Sequence, residues 1–367
     1  MRVVYCSFNG RFSDNPLAVY EQLRTRPGLT HTWILDPAHA DGFPADVRTV
    51  LTGSDEASAA LGEADAVISN HHITTPWTKA AGCRYLQTWH GTPLKRVHAD
   101  IEHPSPPLRR LIEQFDRDVA LWDVLTNPNE ASSELLAGAF RFGGQVLTTG
   151  SPRNDVLVGP QADEVRARVR GQLGLGDDRT AVLYAPTWRD DQVGSDGDFD
   201  FAFQLDLDAF RRRLAGDAVL LVRLHPFVSG RLAGIVPADD PDVRDVSFHP
   251  QVSDLYLAAD ALVTDYSSVM FDFAVTGRPI VFFTYDLEHY RDEVRGFYFD
   301  PRPDAPGPML RTSAEVLTAL GDLDLLRHRW SEPYARFRER YCAHEDGLAA
   351  QRVADLVMAG RAVSPAP

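Results

Sequence analysis

The sequence predicts an α/β protein made of two doubly wound domains, each built on a parallel sheet. Short β-rich runs alternate with helical stretches along the chain, which is the pattern of parallel strands joined by covering helices. The runs form two series, and a polar region between Gly150 and Asp178 separates them. The length of 367 residues suits two domains of ordinary size, each with its own core. We therefore expect a cleft between two domains.

The first series contains six predicted strands. They begin at Val3 (VVYC), His31 (HTWIL), Ala66 (AVIS), Tyr85 (YLQTW), Asp123 (DVLTNP) and Gln145 (QVLTTG). Each is short and rich in β-branched or aromatic residues. A helix is predicted from Glu130 (EASSELLAGAF), and Ser151 with Pro152 is typical of a turn or a helix start. We assign residues 1–150 to the N-terminal domain.

The second series predicts a second sheet. Its strands begin at Thr180 (TAVLYAP), Ala218 (AVLLVRLHP), Ala261 (ALVTDYSS) and Pro279 (PIVFFTY), with helices such as DLDAFRRRL and SVMFDFAVTG between them. We assign residues 151–330 to the C-terminal domain. Ser331 to Val357 reads as one helix within a segment 331–360, and we expect it to pack back onto the first domain.

Charge excludes one class of partner. The chain has 37 basic and 52 acidic side chains, a net formal charge of −15, and 44% of its residues are hydrophobic. An acidic globule of this kind repels anions, so general nucleic-acid binding is not expected. A phosphate-bearing ligand would have to be held by local features, such as helix N-termini and a few placed cations.

Cysteine usage and hydropathy indicate a compartment. Cys6, Cys83 and Cys342 are far apart and lack metal-ligand spacing, which favours a reducing environment. The N-terminus lacks the apolar core of a signal peptide, and no window approaches the ~20 consecutive apolar residues of a membrane span. We expect a cytoplasmic protein, acting at a membrane only from its surface.

Polar side chains follow five predicted strands at the point where each strand ends. Ligands of open parallel sheets bind at these carboxyl ends. The functional residues are therefore expected among these segments. They are His90-Gly91-Thr92, Thr187-Trp188-Arg189-Asp190, His225-Pro226, Asp265-Tyr266-Ser267-Ser268, and Asp286 with Glu288.

His90 is the first candidate. A lone histidine is more often a packed, hydrogen-bonded core residue than a catalytic one. Here Gly91 removes side-chain bulk beside it, and Thr92 and Lys95 supply a hydroxyl and a cation close by in sequence. From these residues alone, the structural and catalytic interpretations remain equally open.

His225 is the second candidate. It ends a very apolar strand, and Arg223 lies two residues earlier, so both side chains can point from one face of the strand. Pro226 prevents that strand from continuing as a central one. The alternative is a capped strand end with a surface arginine, and we favour the functional interpretation narrowly.

The segment DYSSVMFDFA has the features of a phosphate site. Ser267 or Ser268 is a suitable N-cap for the helix that follows, whose free backbone N–H groups would face an anion. Asp272, one turn on, is within reach of ribose hydroxyls. The alternative is an ordinary capped helix in which Asp265 and Asp272 are solvated.

Arg189 lies between tryptophan and aspartate in TWRDD. Asp190 and Asp191 follow it, so the segment could be a surface ion-pair cluster or the rim of a cleft. Two carboxylates without a third ligand at an assignable spacing do not make a metal site. We therefore predict neither a metal nor a cofactor.

Taken together and in order, these segments resemble one family. The blocks are QTWHGTPLK from Gln87, YAPTWRD from Tyr184, RLHP from Arg223, TDYSSVMFDFA from Thr264, RPIVFFTYDLEHYRDEVRGFYFDP from Arg278 and EDG from Glu345, with SFNGRFSDNPLAVYEQL from Ser7. They resemble the CDP-glycerol:poly(glycerophosphate) glycerophosphotransferases, the teichoic-acid primases and polymerases. Several ungapped blocks in one order, from about Ser7 to Val353, are more specific than a single motif.

The resemblance implies a GT-B-like fold of two facing Rossmann-type domains, with the CDP donor bound mainly by the second and the acceptor approaching across the first. It implies transfer of glycerol phosphate, or a similar polyol phosphate, from the donor to a hydroxyl, with release of CMP. The acceptor would be a lipid-linked saccharide or a growing polymer of the cell envelope.

The resemblance also implies roles for single residues. His90 becomes the general base for the acceptor hydroxyl, and His225 a contact to the donor pyrophosphate. Further matches are listed by the side that they would serve: Gly91, Thr92 and Lys95 for the acceptor, and Arg189, Arg223, Thr264, Asp265, Ser267, Ser268 and Asp272 for the donor.

Two other functions fit the same scaffold. A nucleotide-sugar glycosyltransferase or UDP-sugar epimerase would use the same two domains, because fold does not fix the donor. A catalytically idle assembly protein is the third, although it would not need His90, His225 and DYSS. Many polymerases of the family have an additional N-terminal region for membrane attachment, whereas this chain begins at the catalytic segment. Peripheral membrane contact is therefore expected from a local patch around residues 104–111 or RLIEQF.

Overall fold

The structure is a computed structural model that describes residues 1–102, 104, 106–176, 178–189, 191–192, 201–225, 228–237 and 239–359. The chain divides into two compact units. Unit 1 contains Met1–Thr92, Val97–Val158 and the residues from Ala343 onward, and unit 2 contains Pro93–Arg96 and Gly159–Cys342. Each unit is built on its own parallel sheet.

Unit 1 contains seven parallel strands in the order β3-β2-β1-β4-β5-β6-β7. The order turns back at β1, so the chain builds the sheet outwards in both directions from that strand, as in doubly wound proteins. The strands are β1 (Arg2–Cys6), β2 (Thr30–Leu35), β3 (Thr49–Leu51), β4 (Ala66–Ser69), β5 (Arg84–Gln87), β6 (Val124–Asn127) and β7 (Gln145–Thr148).

Helices cover both faces of this sheet. They are α1 (Asp14–Leu23), α2 (Asp55–Gly62), α3 (Pro106–Val119), α4 (Glu130–Ala139), α5 (Asp155–Val158) and α14 (Ala349–Ala359). Side chains of β1 alternate between two cores: Val3 and Tyr5 join α1 and α14 on one face, while Val4 and Cys6 join the other core. A 3-10 turn at Pro152–Asn154 follows β7.

Unit 2 contains six parallel strands in the order β10-β9-β8-β11-β12-β13, again turning back at its first strand. The middle strands are almost fully buried, as expected for a parallel sheet covered on both faces. The strands are β8 (Thr180–Ala185), β9 (Ala218–Val222), β10 (Val243–Asp245), β11 (Ala261–Thr264), β12 (Ile280–Phe283) and β13 (Met309–Leu310).

The helices of unit 2 precede, connect and follow these strands. They are α6 (Ala162–Gln172), α7 (Leu207–Leu214), α8 (Val252–Ala258), α9 (Val269–Phe273), α10 (Leu287–His289), α11 (Ser313–Leu320), α12 (Leu323–Arg329) and α13 (Ser331–Tyr341). A capping box begins α11, in which Thr312 and Glu315 each bond to the other's backbone N–H.

The predicted fold class is confirmed, since both sheets are parallel, doubly wound and covered by helices. The single helix predicted from Ser331 to Val357 is wrong: α13 ends at Tyr341, and α14 begins at Ala349 within unit 1. Gly347, with φ of 84°, lies in the break, in a conformation that L side chains rarely adopt. Residue 360 of the predicted segment lies outside the described residues.

Three short strands were not predicted. β3, β10 and β13 are two or three residues long and occupy sheet edges. They are too short to give a periodic signal. Within the described part of the chain, no helix has both the length and the apolar character needed to cross a membrane.

Candidate active-site residues

His90 lies at the carboxyl edge of the unit 1 sheet, just after β5. Its Nδ1 is 2.7 Å from the carbonyl oxygen of Asn70, which follows the neighbouring strand β4. Because a carbonyl oxygen only accepts, the ring hydrogen is on Nδ1 and the lone pair is on Nε2. The flanking backbone is unusual, with φ of 48° at Trp89 and 135° at Gly91. The sharp turn therefore needs the glycine that follows the histidine.

A buried ion pair between Asp14 and Arg153 supports the turn that carries His90. Arg153 Nη1 donates to Oδ1 and Oδ2 of Asp14 at 3.1 and 3.0 Å, and Arg153 Nη2 donates to the carbonyl oxygen of His90 at 2.9 Å. The two side chains are only 6% and 7% exposed. Asn70 Nδ2 donates to the same carboxylate at 2.8 Å. Asp14 and Arg153 thus connect α1, β4, β5 and the turn after β7.

Asn15 adds a second link between the same loops. Its Nδ2 donates to the carbonyl oxygen of Trp89 at 2.9 Å, and its Oδ1 accepts from the backbone N–H of Arg153 at 3.0 Å. Positive φ occurs at Phe8 (45°) and Asn9 (58°) in the loop after β1, and at Asp14 (62°), the first residue of α1. Such strained backbone persists only where the surroundings fix it, and it clusters at functional sites.

Rings surround the His90 imidazole. Its ring centroid is 3.9 Å from that of Trp89, 5.4 Å from Phe8 and 5.7 Å from His71, whose plane is within 20° of its own. Burial, followed by the nearby His71, lowers the pKa of His90 well below its usual value. The imidazole is therefore neutral near pH 7, with Nε2 able to take a proton.

The three acceptor-side residues predicted beside His90 fall in different units. Gly91 and Thr92 belong to unit 1, and the Thr92 hydroxyl, buried, accepts from Asn129 Nδ2 at 2.7 Å. Lys95 belongs to unit 2, where it forms an antiparallel bridge with Phe297. Through its bond with Asn129 the Thr92 side chain helps to hold the turn.

Arg189 is the centre of a buried cluster at the carboxyl edge of the unit 2 sheet. Its Nε and Nη2 donate to Asp286 at 2.7 and 2.9 Å, and its Nη1 donates to Asp265 Oδ2 at 3.0 Å. The side chain is 3% exposed. The carboxylates outweigh the effect of burial and raise the pKa of Arg189 above its usual value. The guanidinium fastens the ends of β8, β11 and β12 together.

The same cluster organises the turn after β11. Asp265 Oδ1 accepts from the backbone N–H groups of Thr187 and Tyr266 at 2.9 and 2.6 Å, and the Tyr266 hydroxyl donates to Asp286 at 3.0 Å. Thr264 Oγ1 donates to the carbonyl oxygen of Ala185 at 2.7 Å. Asp265 and Thr264 are buried, so both act on the backbone of the turn.

Ser267 and Ser268 complete this turn and precede α9. Both are partly exposed, and Ser267 Oγ accepts from the backbone N–H of Val269 at 3.4 Å. Asp272, inside α9, is 4% exposed. The two hydroxyls therefore lie at the accessible edge of the turn, whereas the carboxylate is within the fold.

His225 and Arg223 follow β9, next to β8 in the sheet. The His225 ring lies 5.5 Å from that of Trp188, between centroids. Arg223 Nη1 donates to the carbonyl oxygens of Val246 and His249 at 3.2 and 2.9 Å, so it supports the loop after β10. Because β9 ends at Val222, both residues lie beyond the strand. Pro226 and Asp190 lie outside the described residues.

Sequence reasoning missed several residues of these clusters. Asp14 and Asn15 lie in the SFNGRFSDNP segment, which carried the family resemblance but suggested no role. Asn70 and Arg153 gave no signal, because only the fold brings them to His90. Among the described residues, no group of three or more His, Cys, Asp or Glu side chains is arranged to hold a metal ion.

Comparison with known proteins places the whole chain in one family. Residues 1–359 match the family described as CDP-glycerol:poly(glycerophosphate) glycerophosphotransferase. A Staphylococcus aureus teichoic acid glycerol-phosphate transferase is 36% identical over 97% of this chain and 92% of its own length. A Bacillus subtilis teichoic acid poly(glycerol phosphate) polymerase is 34% identical over 97% of this chain, which spans 48% of that protein.

Solved structures agree with this comparison. The wall teichoic acid polymerase TagF has a TM-score of 0.88 at 34% identity, covering 99% of this chain and 90% of that one. A histidine-to-asparagine variant of TagF soaked with CDPG has the same TM-score over 98% of this chain and 88% of its own. A UDP-GlcNAc 2-epimerase from Neisseria meningitidis, 14% identical with a TM-score of 0.53 over 98% of this chain and 100% of its own, shares the fold alone. The chain therefore belongs to the CDP-glycerol:poly(glycerophosphate) glycerophosphotransferase family.

Proposed function

We propose that this chain transfers glycerol phosphate, or a related polyol phosphate, from a CDP-activated donor to an acceptor hydroxyl in teichoic-acid or capsule-like polymer synthesis. The carrying observation is His90, a neutral imidazole whose Nδ1 hydrogen is bound by Asn70 and whose Nε2 remains a proton acceptor. A TagF variant solved with CDPG supports the choice of donor.

In this reaction His90 is the general base. Nε2 takes the proton of the acceptor hydroxyl as its oxygen forms a bond to the polyol-bearing phosphorus of the donor. The P–O bond to CMP breaks, and its electron pair leaves with the CMP phosphate. A positioned general base contributes roughly 10²–10⁴ in rate. The Asp14–Arg153 pair and Asn70 fix the ring for this step.

On the donor side, His225, Ser267 and Ser268 bind the pyrophosphate and stabilise the charge that develops there. The partial exposure of the two serines at the end of β11 supports this assignment. The family resemblance assigns Asp272 to the ribose, but its burial within α9 favours a positioning role. For Arg189, Asp265 and Thr264 the buried bonds described above favour a positioning role, in which they shape the turn that carries the serines.

Two residues have roles at the margins of these sites. Arg223 supports the loop after β10, next to His225. Lys95, in the strand-like pairing with Phe297, supplies a cation for the acceptor. These roles follow from the family resemblance together with the local contacts.

The acceptor is a lipid-linked saccharide or a growing polymer, reached by peripheral contact with the inner face of the cell membrane. Helix α3 is the candidate contact surface. Leu111 is 39% exposed, and Arg109, Arg110 and Arg117 are exposed along the same helix. Exposed apolar and basic side chains together favour an anionic lipid surface. Pelleting of the chain with phosphatidylglycerol vesicles, lost in Leu111→Glu, tests this contact.

The test of the reaction is CMP release by the purified chain from CDP-glycerol and, separately, CDP-ribitol, each with and without a lipid-linked disaccharide acceptor analogue. Acceptor-dependent CMP release from one donor supports the proposal and identifies the polyol. A parallel assay with a UDP-sugar donor tests the glycosyltransferase and epimerase alternatives. If the folded protein releases no CMP from either CDP donor, the proposal is contradicted, and another donor or an assembly role is favoured.

A further inference from the structure

A second histidine lies directly against His90. His71 follows Asn70 at the end of β4, and its ring is 5.7 Å from that of His90 with 20° between the planes. Phe8 contacts both, at 6.0 Å from His71 and 5.4 Å from His90. The mechanism above does not use His71. Its parallel position beside the proposed base requires an explanation.

The backbone of His71 is held firmly. Its carbonyl oxygen accepts from Ser69 Oγ at 2.6 Å and from Gln87 Nε2 at 3.1 Å. Its Nδ1 is 3.3 Å from the carbonyl oxygen of His72, with Asn9 Nδ2 at 3.5 Å. The first partner only accepts and the second only donates, so these two contacts do not fix the tautomer of His71.

The charged groups that face His90 come from three elements. Asp14 raises the pKa of His90 and Arg153 lowers it, and because these two form an ion pair their effects oppose one another. The Asn70 carbonyl raises the pKa as well. After burial, His71 makes the largest lowering contribution. His72 lies against His71, with 5.7 Å between their ring centroids, and its pKa is lowered well below the usual value, chiefly by burial, so it stays neutral.

We propose that His71 is a positioning residue for His90: by taking up the first proton as the pH falls, it keeps Nε2 of His90 unprotonated. Two parallel imidazoles this close cannot both carry a charge without a large electrostatic cost. The acceptor hydroxyl would then meet a free base over a wider pH range. The catalytic consequence rests on the proposed function, whereas the control of His90 protonation does not.

The experiment is a pH titration of the full chain labelled with ¹³C in the histidine rings, followed by NMR. The His90 signal is assigned by its loss in His90→Gln. In His71→Phe, which keeps a flat ring but cannot take a proton, we expect the His90 midpoint to rise by about one pH unit, the size of a typical like-charge effect. His71→Gln is the second variant, should the phenylalanine disturb folding, and we expect the same direction.

His31→Gln is the matched control. His31 is also a partly buried histidine of unit 1, but its Nδ1 bonds to the Tyr5 hydroxyl at 2.9 Å. Its replacement should leave the His90 midpoint where it is in the wild type. An unmoved His90 midpoint in both His71 variants overturns the inference, whatever their activity.

The pH profile of kcat/KM for CMP release gives the second readout. We expect its acid limb to move upward with the NMR midpoint, while activity above that limb stays within about threefold of the wild type, since only the protonation state has changed. A uniform loss at every pH with an unmoved midpoint means a merely structural role and overturns the inference. If the wild type releases no CMP, the proposed function fails and the NMR titration alone decides the role of His71.

Discussion

His90 donates its Nδ1 hydrogen to the carbonyl oxygen of Asn70 at the end of the neighbouring strand, with 2.7 Å between Nδ1 and the oxygen. This bond fixes the tautomer, because a carbonyl oxygen only accepts, and it ties the ring to the rigid edge of the sheet. The remaining nitrogen, Nε2, is thereby committed to accepting a proton. An asparagine backbone, rather than a carboxylate, orients this histidine.

Replacing His90 should remove catalysis without unfolding the chain. In His90→Gln we expect acceptor-dependent CMP release to fall by roughly 10²-fold or more, the usual contribution of a general base. CDP affinity, measured by calorimetry, should be unchanged, since the predicted donor residues are in unit 2. Near-normal turnover in a variant with wild-type CDP binding would show that the base is elsewhere.

The Asp14–Arg153 pair should be essential for stability. Arg153→Ala leaves a buried carboxylate without its partner, so we expect the free energy of unfolding to fall by about 3–5 kcal/mol. Urea unfolding followed by circular dichroism measures this. The control is Arg26→Ala, whose pair with Asp355 is partly exposed at 3.2 Å and should contribute about 1 kcal/mol or less. Equal effects in the two variants would contradict the role given to the buried pair.

Lysine should not replace Arg189. A single ammonium cannot reproduce the paired bonds to Asp286 and the bond to Asp265, so the turn carrying Ser267 and Ser268 should loosen. We expect Arg189→Lys to weaken CDP binding at least tenfold in calorimetry. Arg311→Lys, which alters only an exposed pair with Glu288, is the control and should bind CDP normally. If both variants bind alike, the buried cluster does not shape the donor site.

His72 should make stability depend on pH. Its ring stacks on that of Phe115 at 4.0 Å, and burial lowers its pKa well below 6.5. Below pH 6.5 the His72 side chain binds a proton in the unfolded chain but not in the folded chain. The free energy of unfolding therefore decreases as the pH falls, by up to about 1.4 kcal/mol per pH unit for this group. His72→Phe should make the decrease between pH 6.5 and 5 shallower by that amount.

The difference between variant and wild type is the quantity to measure for His72. Asp118, whose pKa burial raises to about 7, contributes with the opposite sign over the same range. Asp118 Oδ2 lies 3.5 Å from His72 Nδ1, so the comparison is made with Asp118→Asn in both proteins, which removes its titration. Parallel curves for the two proteins would mean that His72 binds its proton in the folded state as well.

Fold class and family could be predicted from the sequence because contiguous segments indicate both. The strand at Ala66 was predicted with its observed bounds, Ala66–Ser69, since four apolar or small residues lie between polar ones. The family was recognised from ungapped blocks such as QTWHGTPLK, and the comparisons confirm it. Such signals need no knowledge of which distant residues meet.

The support of His90 could not be predicted for the opposite reason. Arg153 is 63 residues from His90, and Asp14 is 76 residues from it in the other direction. The strand order places β1, β4 and β5 side by side, and the turn Pro152–Asn154, which carries Arg153, packs on α1. Similarly, the residues next to Arg189 in the sequence do not show whether it is a buried residue that positions the turn or a residue that contacts a ligand. That distinction depends on Asp286, 97 residues further on.

The placement of α14 has a consequence for how the protein is made. Its Val353, Ala354 and Val357 complete the core that Val3, Tyr5 and α1 begin. A ribosome releases residues in order, and domains ordinarily fold as they emerge. Here one apolar face of the first sheet stays uncovered until residues beyond 349 have left the exit tunnel. By then all segments of unit 2 have already emerged. The polypeptide should therefore acquire its second unit before its first, and the nascent chain should depend on chaperones during that interval.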